Sequence, residues 1–247
     1  MKSKIEILFS DDDLIAALKP SGIDVLADPK HLKYERKNLK ADLEKQIDAE
    51  LFAIHSIDKN ASGIIVFAKN KNAQEFIKKQ FAKNEINLEF TLLLIGTIDE
   101  SFLTDKSSMS SVIDTGLEIS DDKTYVNPNG KKAKTEYKIL EAFKTYTLVS
   151  ARPLTHFKNQ MRAHFKSIGT PLAIDPIYST SDPIFLSSFK RRYKIAPNQK
   201  EKPLIDRLTM HLSQMNLLSL SGKQLQLQAP VPKDFEVTLK QMRKYCK

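Results

Sequence analysis

The chain has 247 residues, 41% hydrophobic and 28% charged, a balance that supports a globular core without disulfide or metal staples. Lys and Arg number 39 against 30 Asp and Glu, a net charge of +9. That excess favours a polyanionic partner through phosphate neutralisation, the plain alternative being a solvated basic surface. Cys246 is the single cysteine, which excludes an intramolecular disulfide, and no apolar run approaches a membrane span or a signal peptide. The expectation is a cytoplasmic protein.

In chain order, the apolar runs Ile5–Phe9 and Leu14–Leu18, joined by Ser10-Asp11-Asp12-Asp13, predict two strands around a turn. Lys19-Pro20-Ser21-Gly22 stops the second with turn chemistry. Leu39, Leu43 and Ile47, spaced i, i+4, i+8, predict a helix within Tyr34–Glu50. Ile64–Ala68 is a β-branched strand, and Ala73, Phe76, Ile77 and Phe81 give Lys71–Lys83 an amphipathic helical face. Leu88–Ile98 reads as a long buried strand, and Gly130 as the turn before strands at Lys134–Leu140 and Tyr146–Ser150. Asn159–Ile168 reads as a helix closed by Gly169. Ser179–Pro203 reads as a polar, basic loop or insertion, and a last strand around Leu225 and Leu227 precedes a C-terminal helix. Many strands with few helices and no βαβ rhythm predict an α+β fold: a mostly antiparallel mixed sheet flanked by helices, in a single domain over 1–247.

The segment with chemical content is His55-Ser56-Ile57-Asp58-Lys59-Asn60-Ala61-Ser62-Gly63. It sets a carboxylate in a polar turn before a buried strand; taken alone, Asp58 reads first as an Asx turn, as most such residues do. Its neighbours widen the reading. The chain resembles the RluA-type family of RNA pseudouridine synthases, whose His-Arg-Leu-Asp motif with following Ser-Gly appears here as His55-Ser56-Ile57-Asp58 and Ser62-Gly63. Further pieces fall in the same order: Lys19-Pro20-Ser21-Gly22, Gly130-Lys131-Lys132-Ala133-Lys134-Thr135-Glu136-Tyr137, Gln160-Met161-Arg162-Ala163-His164, Gly169-Thr170-Pro171 with Asp175-Pro176-Ile177-Tyr178, Arg207 through His211, and Ala229-Pro230-Val231-Pro232.

The resemblance implies isomerisation of uridine to pseudouridine in structured RNA, ribosomal or transfer. A nucleophilic aspartate does the work, without metal or cofactor, because the product is an isomer of the substrate. It implies Asp58 as nucleophile and Arg162 as the guanidinium that keeps it ionised. It puts Phe90 where most relatives carry an active-site tyrosine; a phenylalanine can stack on a base but cannot relay a proton. His55, Ser56, Lys19, Lys131, Phe157, Lys158 and Gln160 become the RNA-facing set, although the residues themselves suggest that His55 and His211 are hydrogen-bonded structural histidines. The histidines do not have metal-ligand spacing. Two departures, Ser56 for an arginine and His156-Phe157-Lys158-Asn159-Gln160 for Gly-Arg-Thr-His-Gln, put the RNA target in question more than the chemistry. They keep open a catalytically impaired RNA-binding relative, and more remotely a basic scaffold protein unrelated to RNA. Lys190-Arg191-Arg192-Tyr193-Lys194 mixes cations with an aromatic, as RNA-contacting loops do. The family's optional N-terminal RNA-binding module is expected to be absent, and the protein to be a monomer.

Overall fold

The structure, a computed structural model, describes residues 4–27, 38–121, 123–190, 193–194 and 199–246. His31, the 34–37 start of the expected first helix, and Arg191 and Arg192 lie outside the described residues. The chain divides into two compact units, one formed by Met1–Phe90 with His211–Pro230, the other by Thr91–Met210 with Val231–Lys247.

In the first unit, β1 (Ile7–Ser10) and β2 (Leu14–Lys19) pair antiparallel, and β2 pairs antiparallel with β4 (Ser62–Ala68). The short β3 (Phe52–Ala53) adds to β4. Helix α1 (Leu39–Ile47) starts where the Asn38 side chain accepts from the Ala41 N–H. Helix α2 (Lys71–Ala82) is capped by Asn70 on Ala73 in the same way. Leu39 and Leu43 of α1 pack with Ile15, Ala17, Ile65 and Phe67 of the strands, as the helical spacing predicts.

β5 (Asn87–Ile95) and β10 (Met210–Leu218) each have residues in both units. β10 pairs in parallel with β4, His211 opposite Ser62 and Leu212 opposite Gly63, and antiparallel with β11 (Gln224–Gln228). The parallel register has a steric cause. Gly63 has φ +130, and a Cβ there would lie 2.4 Å from the Leu212 carbonyl oxygen; only glycine lets the two backbones meet.

The second unit contains β6 (Ser110–Ile119), β7 (Thr124–Val126), β8 (Lys131–Ala142) and β9 (Tyr146–Pro153), paired antiparallel in the order β9-β8-β6-β7. Helix α3 (Gln160–Ser167) follows β9, and α4 (Lys233–Tyr245) closes the chain. Phe235, Leu239 and Met242 of α4 bury against Leu93, Phe143, Leu148 and Ile174. The expected polar insertion contains a short 3-10 turn at Leu186–Ser188.

The α+β class with mixed, mostly antiparallel strands agrees with the expectation. The sequence missed β6, β7 and β10. In β6 the apolar alternation runs out of phase with burial, Val112 being 40% exposed while Ser111 is 5% exposed. In β10, Ser213, Gln214 and Asn216 interrupt the apolar pattern.

Candidate active site

The Asp58 loop is anchored on both sides. Before it, His55 Nε2 accepts from the Val66 N–H at 3.1 Å, and the ring stacks on Phe81 with centroids 5.4 Å apart. An accepting Nε2 puts the proton of neutral His55 on Nδ1, so this histidine organises the strand, as its residue type suggested. Ile57 packs on the α1 core. After the loop, the Lys19 ammonium donates to the carbonyls of Lys59 (2.7 Å), Ile23 (2.7 Å) and Pro20 (3.0 Å). The Gly22 N–H also donates to the Lys59 carbonyl, and Ser21 Oγ donates to Asn60 O at 2.6 Å. The Lys-Pro-Ser-Gly turn is thus a clamp on the residues that follow Asp58. Asp58 is half-buried, and its carbonyl accepts from the Ala61 N–H.

The far end of this loop enters β4 through a second polar knot. Ser62 Oγ lies 2.9 Å from His211 Nδ1, and His211 Nε2 lies 3.3 Å from the Ala229 carbonyl. A carbonyl only accepts, so Nε2 carries the proton and Nδ1 accepts from the Ser62 hydroxyl. Three separated sequence motifs therefore converge on one buried cluster.

In the second unit the organising residue is Arg162, at the start of α3. Its Nε and Nη2 donate to the two carboxylate oxygens of Asp175 at 2.8 and 2.6 Å, and Nη1 donates to Asn159 Oδ1 at 2.9 Å. Asp175 is fully buried and also accepts from the Ile177 and Tyr178 N–H groups. The guanidinium sits 5.2 Å from the Tyr178 ring centroid, and the Lys123 ammonium lies 4.9 Å from the same centroid. The Tyr178 hydroxyl donates to Thr124 O and accepts from Thr124 N–H, tying β7 to this knot; burial pushes the phenol above its usual pKa. The sequence carried Asp175 only as a motif letter. Its role, a planar fork that fixes the guanidinium, needed the fold.

Two residues of the expected RNA-facing set are engaged inside the protein. Lys19 is 0% exposed with its ammonium turned onto carbonyls, so it cannot face a phosphate; it positions the loop instead. Gln160 is also buried. Its Oε1 accepts from Thr155 Oγ1 and the Phe157 N–H, and its Nε2 donates to Lys134 O and Thr135 Oγ1, so both ends are engaged inside the protein. Thr135 also meets His164 Nδ1 at 2.9 Å, which joins β8 to α3. Burial lowers the His164 pKa to about 4, so it is neutral at physiological pH. Phe90 is 3% exposed, in the inward-facing set of β5 with Leu88 and Leu92.

Others stay at the surface. Ser56 is exposed, as are Lys131 and Lys158. The Lys131 ammonium lies 6.0 Å from the Phe157 ring centroid, and Lys158 Nζ donates to the Asp121 carbonyl. The described residues contain no group of three or more His, Cys, Asp or Glu placed to hold a metal ion, and no helix long and apolar enough to cross a membrane.

Comparison with known proteins adds the family. A family model described as RNA pseudouridylate synthase matches residues 13–167, more than half of the chain. The chain is 29% identical over 239 residues to the ribosomal large subunit pseudouridine synthase C of Vibrio cholerae, covering 96% of this chain and 69% of that protein. It is 28% identical to the ribosomal large subunit pseudouridine synthase D of Borreliella burgdorferi, covering 80% of this chain and 64% of that one. It therefore spans about two thirds of these relatives' length. Among solved structures, human RNA Pseudouridylate Synthase Domain Containing 4 aligns over 96% of this chain and 93% of its own, with TM-score 0.67 at 20% identity. Human RNA Pseudouridylate Synthase Domain Containing 1 gives TM-score 0.68 at 17% identity, over 93% and 84%; both likenesses speak to fold. The motif order, the fold and the match over 13–167 lead to one conclusion: the chain belongs to the RNA pseudouridylate synthase family.

Proposed function

We propose that this protein isomerises a uridine of large-subunit ribosomal RNA to pseudouridine, with Asp58 as the nucleophile. The reaction breaks the bond between uracil N1 and ribose C1′, turns the base, and forms a bond from C5 to C1′; N1 gains a proton and C5 loses one. Substrate and product are isomers, so the balance needs no oxidant, reductant or nucleotide triphosphate. The observation that carries the reading is the anchoring of the Asp58 loop. Lys19, Ser21 and Gly22 hold the residues after the aspartate and His55 holds the strand that follows. A carboxylate meant only for an Asx turn has no need of such a frame, whereas a nucleophile must be held in a near-attack position. Arg162, oriented by Asp175, is assigned as the counter-charge that keeps Asp58 ionised, an assignment that rests on the motif match. Ribosomal RNA is preferred over transfer RNA because the relatives named above are ribosomal large subunit enzymes, and the cytoplasm is then the place of action.

The test is a pseudouridine map of total RNA from cells with and without the gene, repeated with purified protein on the unmodified RNA. The expected result is one or a few ribosomal positions that depend on the protein in both settings. Sites in transfer RNA alone would reassign the substrate. RNA binding without any new pseudouridine would favour the impaired, RNA-binding relative.

A further inference from the structure

We propose that a basic cavity in the second unit, formed by the β8–β9 turn, the 3-10 turn and the end of α4, binds an unpaired nucleotide of the RNA. In this reading Tyr245 stacks on the base, while Lys144, Lys190 and Lys244 meet the phosphates. The inference rests on the reading of this chain as an enzyme acting on RNA.

The cavity measures about 680 Å³, within the size range of small-ligand sites. Its three lysines come from three separate segments, so their convergence is not a product of sequence neighbourhood. Lys144 lies in the β8–β9 turn, Lys190 follows the 3-10 turn, and Lys244 sits in the last turn of α4. The helix dipole accounts for a lysine at the end of α4, but not for the other two. Among the described residues no carboxylate lines the cavity, and none of the three lysines forms an ion pair. Gathering like charges in this way is unfavourable until an anion arrives.

Beside the cations stands an aromatic ring. The Lys190 and Lys244 ammonium groups lie 5.4 and 5.2 Å from the Tyr245 centroid, and Lys190 is 5.5 Å from that of Tyr193. A hydrogen bond with Lys244, then the charges of Lys190 and Lys244, hold the Tyr245 phenol below its usual pKa, as a positive local potential requires. Cations beside an aromatic face are the composition that sequence-tolerant single-strand binding uses. The walls are also tied together. The Lys144 N–H donates to the Cys246 carbonyl at 3.0 Å, and Cys246 and Phe189 pack on the α4 core. The site is therefore built on packed elements. Lys190, the first residue of the basic-aromatic stretch noted in the sequence, lines one side of it.

The test measures binding of a short single-stranded oligouridylate across a salt series. Replacing all three lysines (Lys144→Gln, Lys190→Gln, Lys244→Gln) should weaken binding about tenfold or more. It should also flatten the slope of log affinity against log salt by about 2, from roughly 0.7 per phosphate on a single strand. Tyr245→Leu should weaken binding by about fivefold or more with the slope kept, and Tyr245→Phe should bind like wild type. Should the triple variant melt early, Lys144→Gln and Lys244→Gln, both at exposed positions, give the same test in single steps. Pseudouridine formation at saturating RNA should be unchanged in every variant, with KM raised. Unchanged affinity and slope in the variants of an active wild type would overturn this inference alone. So would a cavity that takes inorganic phosphate or uridine monophosphate while RNA affinity ignores the substitutions. A wild type that neither binds nor modifies RNA would overturn the functional reading with it.

Discussion

Around Asp58 the chain is held through its own backbone, whereas around Arg162 it is held by a buried carboxylate. On the first side the Lys19 ammonium is solvated by three main-chain carbonyls, with Ser21 and Gly22 sharing the load on Lys59 and Asn60. On the second side a single residue, Asp175, takes two of the guanidinium's donors at 2.6 and 2.8 Å in a site almost closed to water. A buried ion pair costs several kcal/mol per charge to desolvate, and its members stay tolerable only together. Dispersed contacts fail gradually; a buried pair fails at once.

That contrast sets the largest expected effect. Arg162→Met leaves Asp175 charged and buried without its partner, and should destabilise the protein by about 3–5 kcal/mol in urea unfolding. Adding Asp175→Asn removes the orphaned charge and keeps an acceptor for Ile177 and Tyr178, so the double variant should regain much of that stability. It should not regain activity, because the counter-charge assigned to Asp58 is still missing. Activity returning along with stability would reduce Arg162 to a structural residue.

Lys19→Met should cost somewhat less, about 3 kcal/mol, by leaving three carbonyls short of a donor. Turnover should fall as the Lys59 turn loosens, while the salt dependence of RNA binding stays as in wild type. The opposite pattern, full stability with a flatter salt slope, would restore Lys19 to the RNA-facing set.

The smallest effect belongs to His164. Its folded pKa of about 4 lies below the ordinary 6.5, so the unfolded chain binds the proton first as pH falls. The stability it contributes is complete above pH 6.5 and is lost between there and about pH 4. A series of urea unfolding curves across that window should show the decline, and His164→Gln should show less of it.

Much of this was legible beforehand because local signals agreed with the fold. The Leu39, Leu43 and Ile47 spacing marked α1, and the β-branched run marked β4. Gly63 was visible as a motif residue, although the reason only glycine fits there, the Leu212 backbone of β10, was not. What the sequence could not supply were partners distant along the chain. Lysines are almost never fully buried, so Lys19 read as a surface cation until three carbonyls were seen around it. The internal bonds of Gln160 were hidden for the same reason, its partners lying on β8 and in the turn before α3. Asp175 was visible as a letter of a motif, and its role appeared only with Arg162 beside it. His55 and His211 are both hydrogen-bonded within the protein, as the residues themselves suggested.

The most direct measurement compares Asp58→Asn with wild type on RNA tritiated at uracil C5, where each isomerisation releases one tritium to water. Asn keeps the size and one carbonyl oxygen of the side chain but cannot act as the nucleophile. The account predicts a variant with wild-type melting and RNA affinity and no release above background. Release within about tenfold of wild type, a barrier difference of roughly 1.4 kcal/mol, would contradict Asp58 as the nucleophile.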